Sequence, residues 1–331
     1  MAGEHGAKRR MRITQEGIVF ALTLLLFALF SVTLPNFLTA GNIITLLRSV
    51  SVLGMLGLAM AMVVIGRGVD LAMVASMVVG ICWALSMTNQ GTAGFGVALL
   101  LGLGFVILTG VVNGVIIAYA EIPAIFTTLA MGAVIFGFGN AFFFSQDTHN
   151  APGGISWFEG IGYGSLLDIP FTIYIFGVLA LIAHVLLRYT RFGRSIYAMG
   201  DNPQAARLSG LAVRPIIVAQ YVTSGVIAYV AGLVMVASNA GMNTRLFYTT
   251  IVYDVLLVVV LGGIGLSGAR GGVRNVLVGT LLVGTLVTGM TIMNLSLTTQ
   301  NLIKSLVMLA ALVAETLLNP RDEQTAQQGD I

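Results

Sequence analysis

Long apolar runs, separated by short polar connections, dominate the chain. Ten can be drawn, at about 17–34, 50–66, 71–88, 94–118, 122–144, 170–188, 216–238, 250–266, 275–294 and 302–318. Each is close to the roughly 20 residues that an α-helix needs to cross a bilayer core. The runs are apolar on every side, whereas the strands of a membrane barrel would alternate with period two. In lipid, a helix also satisfies its own backbone. The pattern predicts an all-α polytopic membrane protein with about ten transmembrane helices.

The polar remainder sets the organisation. Residues 1–16 form a basic tail, 17–319 the membrane domain, and 320–331 a polar tail. Two longer polar segments lie inside the membrane domain, at 145–169 and 189–214. The apolar run from residue 17 is long for a signal peptide, and no small-residue cleavage pattern follows it before Pro35. It reads as a retained first span.

Positive charge gives the orientation. With ten spans and both ends cytoplasmic, 13 Lys and Arg residues fall inside: Lys8, Arg9, Arg10, Arg12, Arg67, Arg188, Arg191, Arg194, Arg207, Arg214, Arg270, Arg274 and Arg321. Only 3, Arg48, Arg245 and Lys304, fall outside. That asymmetry predicts an inner-membrane protein with cytoplasmic termini, segment 189–214 inside and 145–169 outside.

Composition agrees: 57% of residues are hydrophobic and 9% are charged, against roughly 25% charged in soluble domains. The basic residues are not gathered on a soluble domain, so nucleic acid is not an implied partner; membrane lipid is. The single cysteine, Cys82, lies in an apolar run and carries no redox information.

The inner segment holds "GDNPQAARLSGLAVRP". Asp201 or Asn202 suits an N-cap, and Pro203 the first helical position. Gln204, Ala205, Ala206, Arg207, Leu208 and Ser209 then propagate a helix that Gly210 can end in a left-handed C′ conformation. One reading is a capped connector between spans. The other is a docking helix that receives motion from a cytoplasmic motor, with Ala205 and Ala206 small enough for close approach.

The stretch "RFGRSIYAMGDNPQAARLSGL" resembles the coupling loop of bacterial ATP-binding-cassette importer permeases of the ribose, xylose and arabinose type. "LPNFLTAGNIITLLRSVSVLGMLGLAMAMVVI", "GVVNGVIIAYAEIPAIFTTLAMG" and "YDVLLVVVLGGIGLSGARGG" also look like that family, in family order, over about residues 34 to 318. The resemblance implies a ten-helix type II importer fold and a second permease copy, identical or unlike. It also implies a cytoplasmic ATPase docked at 200–210 and a periplasmic sugar-binding protein. Gln204 departs from the family pattern, which has an acidic residue there. The chain has no G-x-x-x-x-G-K-[ST] motif, and its only lysines are Lys8 and Lys304. ATP would therefore be bound by another subunit.

Polar groups inside apolar runs are functional candidates by default. Arg67 and Asp70 interrupt nearly 40 apolar residues, with Gly66 and Gly68 permitting a non-helical link. They could line a translocation pathway at a broken helix. Alternatively, Asp70 caps the third span and Arg67 is an inside anchor. Arg67 stands where the family has a glycine, and Ala72–Met73 where it has Ser–Val. Asp254 reads either as a pathway carboxylate or as an interfacial cap near Tyr248 and Tyr253. Asn113, Thr127, Thr128 and Asn140 could offer a passing sugar weak hydrogen bonds, or could bond across packed helices. Gly110 and Gly114 have the G-x-x-x-G spacing of close helix contact.

"GIGLSG" at 263–268 mimics a dinucleotide fingerprint, but no acidic residue lies between Asp254 and Glu315 to hold a ribose. Its glycines read as a turn between spans eight and nine. His5, His149 and His184 show no metal spacing, and no cofactor or catalytic set is evident. The expectation is a permease subunit, not an enzyme, that moves a monosaccharide across the inner membrane. The same machine carrying a nucleoside, branched-chain amino acid or signalling furanose is the near alternative. An ion-coupled secondary transporter is the distant one, and its carboxylates would have to be Asp70 and Asp254.

Overall fold

The computed structural model describes residues 15–144 and 146–318. Tail residues Lys8, Arg9, Arg10, Arg12 and Arg321, which weighed in the orientation count, lie outside the described residues, as do nearly all of both tails. All ten apolar runs fall on α-helices: α1 (Gln15–Thr33), α2 (Ala40–Val64), α3 (Met73–Asn89), α4 (Phe95–Tyr119), α5 (Ala124–Phe142), α7 (Phe171–Tyr189), α10 (Val213–Asn239), α11 (Ile251–Leu261), α12 (Val273–Ile292) and α13 (Leu297–Leu318). Eight of these are long and apolar enough to cross a membrane; α3 and α11 are shorter.

Three boundaries differ from the sequence reading by five residues or more, one of them the start of α13, at Leu297 where the run begins at 302. Helix α2 begins ten residues before the apolar run, because Asn42, Thr45 and Arg48 break the hydropathy without breaking the helix. Helix α11 stops at Leu261, well short of residue 266. Gly262 and Gly263 follow it, and Gly263 takes a φ of 89° that side chains with a Cβ avoid. The 262–272 link completes that leg of the chain without helix, and Gly268 and Gly271 are left-handed as well. The glycines of "GIGLSG" therefore serve a turn.

The interior is built from α2, α3, α10 and α11. Residues 54–65 and 72–82 are buried without interruption. The exposed residues of α1, α4, α5, α7 and α13 are largely Leu, Ile, Val and Phe, as lipid-facing positions are. Helices α4 and α10 meet through Gly110 and Gly114. A Cβ at Gly110 would stand 2.9 Å from the Val222 Cα, and one at Gly114 2.5 Å from the Val218 Cα. The G-x-x-x-G face is thus a close backbone contact.

Connections gather at two ends. At one, α8 (Arg191–Asp201) and α9 (Pro203–Leu208) join α7 to α10. At the other, β1 (Thr148–Asn150) pairs antiparallel with β4 (Gly241–Asn243), and β2 (Ser165–Leu166) with β3 (Ile169–Pro170); α6 (Ser156–Tyr163) lies between β1 and β2. Arg245 Nε donates to Asp147 Oδ2 at 2.7 Å beside the first of these ribbons.

Candidate functional site

Helix α2 ends in a tight turn. The Gly66 and Gly68 amides both donate to the Val63 carbonyl, and the Arg67 amide donates to Val64. Arg67 itself takes φ 68°, a conformation that costs a non-glycine residue about 1–2 kcal/mol. Its side chain accounts for its retention. Nε donates to the Gly200 carbonyl at 2.7 Å and Nη2 to the Asp201 carbonyl at 2.6 Å. These carbonyls end α8, where helix backbone acceptors lack intrahelical partners and carry partial negative charge. A guanidinium is well matched to two of them at once.

The join is reinforced by backbone. Ala269 N donates to the Ile65 carbonyl at 2.8 Å. A Cβ at Gly200 would run into the Ile65 carbonyl, and one at Gly268 would stand 2.5 Å from the Arg67 Cγ. The end of α2, the end of α8 and the α11–α12 link therefore meet at one junction, which only glycine admits at these two positions. Arg67 thus ties the end of α2 to the backbone at the end of α8.

Asp70 lies a few residues further along the same link and is 3% exposed. Its Oδ2 accepts from Ser224 Oγ of α10 at 2.9 Å. The carboxylate also neighbours the Ala72 and Met73 amides at the start of α3. Around it, Gln220 Nε2 donates to the Met62 carbonyl at 2.8 Å, and Tyr221 and Thr128 hydroxyls both donate to the Val69 carbonyl at 3.3 Å. Gln220, Tyr221 and Ser224 occupy one face of α10 at helical spacing. Gln220 and Tyr221 satisfy backbone carbonyls at the break between α2 and α3, and Ser224 the Asp70 carboxylate, buried acceptors that would otherwise be costly. Sequence reasoning missed all three. The available signal was polar residues three and four apart inside an apolar run.

The other predicted residues disperse. Asn113 is buried on α4, and its Oδ1 has no hydrogen-bond partner among the described residues; the same holds for Thr127 Oγ1. Thr128 joins the Asp70 group, as above. Asn140 is exposed on α5 and stands apart from it. Asp254 had no evident partner in the sequence, but the structure supplies one. Lys304 Nζ lies 2.7 Å from Asp254 Oδ1, with side-chain exposures of only 11% and 20%. Lys304 also donates to Thr250 Oγ1 at 3.3 Å, and Thr250 to Asn301 Oδ1 at 3.1 Å. This cluster ties α13 to α11 and neutralises the carboxylate within the pair.

Helix α9 has the predicted ends. Asn202, not Asp201, is the N-cap: its Oδ1 accepts from the Gln204 and Ala205 amides, each at 3.0 Å, and Pro203 follows at N1. At the other end Gly210 is left-handed, with φ 84°. The Gly210 amide donates to Arg207 and the Leu211 amide to Ala206, both at 3.0 Å. This is the paired closure of a Schellman cap. The faces of α9 differ from expectation in one respect. Ala206 points inward and is buried with Met199 and Val213. The outward face carries Gln204, Ala205, Arg207 and Leu208, with Leu208 90% exposed. Glu121, in the turn before α5, pairs with Arg214 at 3.2 Å and approaches Arg207 at 4.0 Å. Both contacts are exposed and contribute little.

Residues 42–312 match the model of a protein family described as the permease component of branched-chain amino acid transport systems. The chain is 32% identical to the ribose import permease protein of Escherichia coli strain K12, over 88% of this chain and 91% of the relative. It is 34% identical to the L-arabinose ABC transporter permease protein of Azospirillum brasilense, over 91% and 87%. A galactofuranose transporter permease protein of Escherichia coli strain K12 is 31% identical, over 83% and 80%. No solved structure matches the chain significantly.

Proposed function

This chain belongs to the permease-component family of branched-chain amino acid transport systems, and from that premise we propose that it is the membrane subunit of an ATP-driven monosaccharide importer. The observation that carries the cargo class is its similarity, across most of its length, to permeases named for ribose and arabinose. The site is consistent with an uncharged solute. Asp254 is neutralised by Lys304, and Asp70 Oδ2 accepts from Ser224.

Two copies would enclose the pathway. Both termini, α8 and α9 lie in the cytoplasm, and the β1–β4 end faces the periplasm. A separate ATPase docks on the outward face of α9, and a periplasmic binding protein delivers the sugar. The Asp70 group, with Asn113 and Thr128, stands nearest the route. Motion imposed on α9 reaches it through Arg67, because the guanidinium is bonded to the α8 end and lies three residues from Asp70. The chain moves its cargo without chemical change; ATP hydrolysis belongs to the other subunit.

The test is reconstitution of the chain with its partner ATPase and binding protein in liposomes, followed by uptake of labelled ribose and arabinose. ATP-dependent uptake that requires all components is expected. Uptake by this chain alone on an ion gradient, or ATP-driven uptake confined to amino acids or nucleosides, would overturn the proposal.

A further inference from the structure

A cavity of about 490 Å³ opens at the α8–α9 end, among the ends of α1, α7, α8 and α12. Arg188, Arg194 and Arg274 line it, with Glu16, His184 and Tyr197. Three arginines against one glutamate leave a net charge of +2 from the fully ionised groups. Glu16 is held by Arg274 at 3.1 Å. Arg188 and Arg194 have no carboxylate partner among the described residues. The floor is fixed by the Tyr197 hydroxyl, which donates to the Gly271 carbonyl at 2.7 Å. Burial holds that phenol above its ordinary range, opposed by the nearby Arg188, so it remains a donor. Helix α12 starts at the cavity wall, and its N-cap, Gly272, offers no side-chain acceptor to the first amides.

Beside this basic cavity lie apolar side chains that are exposed among the described residues. Ile18 and Leu22 on α1 are 52% and 49% exposed, and Leu181 and Val185 on α7 are 63% and 44% exposed. Both helices are candidate spans, so these residues meet hydrocarbon just below the arginines. Positive charge at the boundary with acyl-facing residues beneath it is the chemistry that a basic pocket between spans presents to an anionic headgroup. We infer that the cavity binds the phosphate of an anionic membrane phospholipid, with its acyl chains lying along α1 and α7. Arg188 and Arg194 contact the phosphate, and Arg274 shares it with Glu16. The inference goes beyond the transport reading and rests only on the chain's position in a membrane.

The test is native mass spectrometry of the full-length chain in mild detergent, titrated with phosphatidylglycerol, cardiolipin or phosphatidylcholine. The anionic lipids are expected to be retained in preference to phosphatidylcholine. The double variant Arg188→Ala with Arg194→Ala should weaken that retention by on the order of 30-fold, since each basic residue near the surface contributes about a factor of five. Arg188→Lys with Arg194→Lys should keep most of it. Arg191→Ala with Arg214→Ala, which removes equal charge outside the cavity, should keep all of it. Equal retention of the three lipids, or equal loss in the cavity and control variants, would overturn the site. Displacement of lipid by millimolar inorganic phosphate would overturn the lipid in favour of a soluble anion. Uptake activity is not read, so failure here leaves the transport reading intact.

Discussion

Arg67 and Gly200 stand 133 residues apart in sequence and are joined by a 2.7 Å hydrogen bond, with a second from the same guanidinium to Asp201. The bond links a break in the innermost helices to the segment that ends in α9. Hydrogen bonds from a charged group contribute roughly 1.5–3 kcal/mol each, enough here to hold a non-glycine residue left-handed at the end of α2. The link therefore connects the end of α8, next to α9, with the Asp70 group.

Loss of that connection should separate ATP hydrolysis from transport. In the assembled transporter, Arg67→Ala should lower uptake by on the order of tenfold, the equivalent of about 1.4 kcal/mol, with a smaller change in ATPase rate. Arg67→Lys retains the charge but not the planar fork, and should fall between. Parallel measurement of uptake and phosphate release decides it. If both rates drop together, Arg67 serves stability or assembly and transmits nothing.

Helix α9 allows folding and docking to be separated by position. Asn202→Ala removes the N-cap at a cost of about 1 kcal/mol. Gly210→Val forces a β-branched residue into φ 84°, at a cost of at least about 1–2 kcal/mol. Ala206→Trp overpacks a buried position against Met199 and Val213. All three should speed amide exchange across 203–211 before they weaken ATPase binding. Leu208→Asp, on the outward face, should weaken binding with exchange unchanged. Normal ATPase affinity in Leu208→Asp would make α9 a connector.

The helices were legible because lipid demands long apolar runs and satisfied backbone, and both leave marks in a single sequence. The caps of α9 were legible for the same local reason: Asn202, Pro203 and Gly210 act on their immediate neighbours. The junction was not. Arg67 bonds to main-chain carbonyls, which have no sequence identity, and Gly200 and Gly268 matter only because distant backbone passes beside them. Asp254 looked unpartnered because Lys304 lies 50 residues away on another helix. Ala206 looked like a contact surface because its size suits both an interface and a core. Only the helix register against Met199 and Val213 separates the two.

The close contact of α4 and α10 predicts an intolerance specific to backbone. A Cβ at Gly114 would meet the Val218 Cα, which cannot rotate away as a side-chain tip can. Gly114→Val should sharply reduce folded yield in detergent and lower the melting temperature. Gly104→Val, on the same helix with open space around it, should not. Equal melting temperatures for the two variants would contradict the packing described.

The β1–β4 ribbon should loosen in mild acid. His149 on β1 is buried, and its Nε2 lies 3.0 Å from the Gln146 carbonyl. Burial lowers its pKa below the ordinary 6.5, and the bond to Gln146 only partly opposes this. A depressed pKa means that the unfolded ribbon takes up its proton first as the pH falls. Stability is therefore complete above pH 6.5, and is lost as the pH drops through 6.5 to the lower folded-state value. Amide exchange at 147–150 and 241–244 should accelerate across that window, and His149→Gln should flatten the response. An unchanged profile in His149→Gln would assign the effect to another group.

The Asp254–Lys304 pair decides whether a membrane carboxylate carries an ion. Breaking a buried pair from one side leaves an uncompensated charge, at about 3–5 kcal/mol, whereas removing both partners can be nearly neutral. Lys304→Met should accordingly destabilise the chain strongly, and Asp254→Asn less. The double variant Asp254→Asn with Lys304→Met should recover most of the loss, giving a large coupling in a double-mutant cycle. ATP-driven uptake should recover with it, because a structural pair can be replaced as a unit. A carboxylate that bound a proton or Na⁺ during transport could not: Asp254→Asn would then abolish uptake whatever occupied position 304. Melting temperature and uptake measured on the same four proteins distinguish these outcomes, and recovery of both in the double variant is expected.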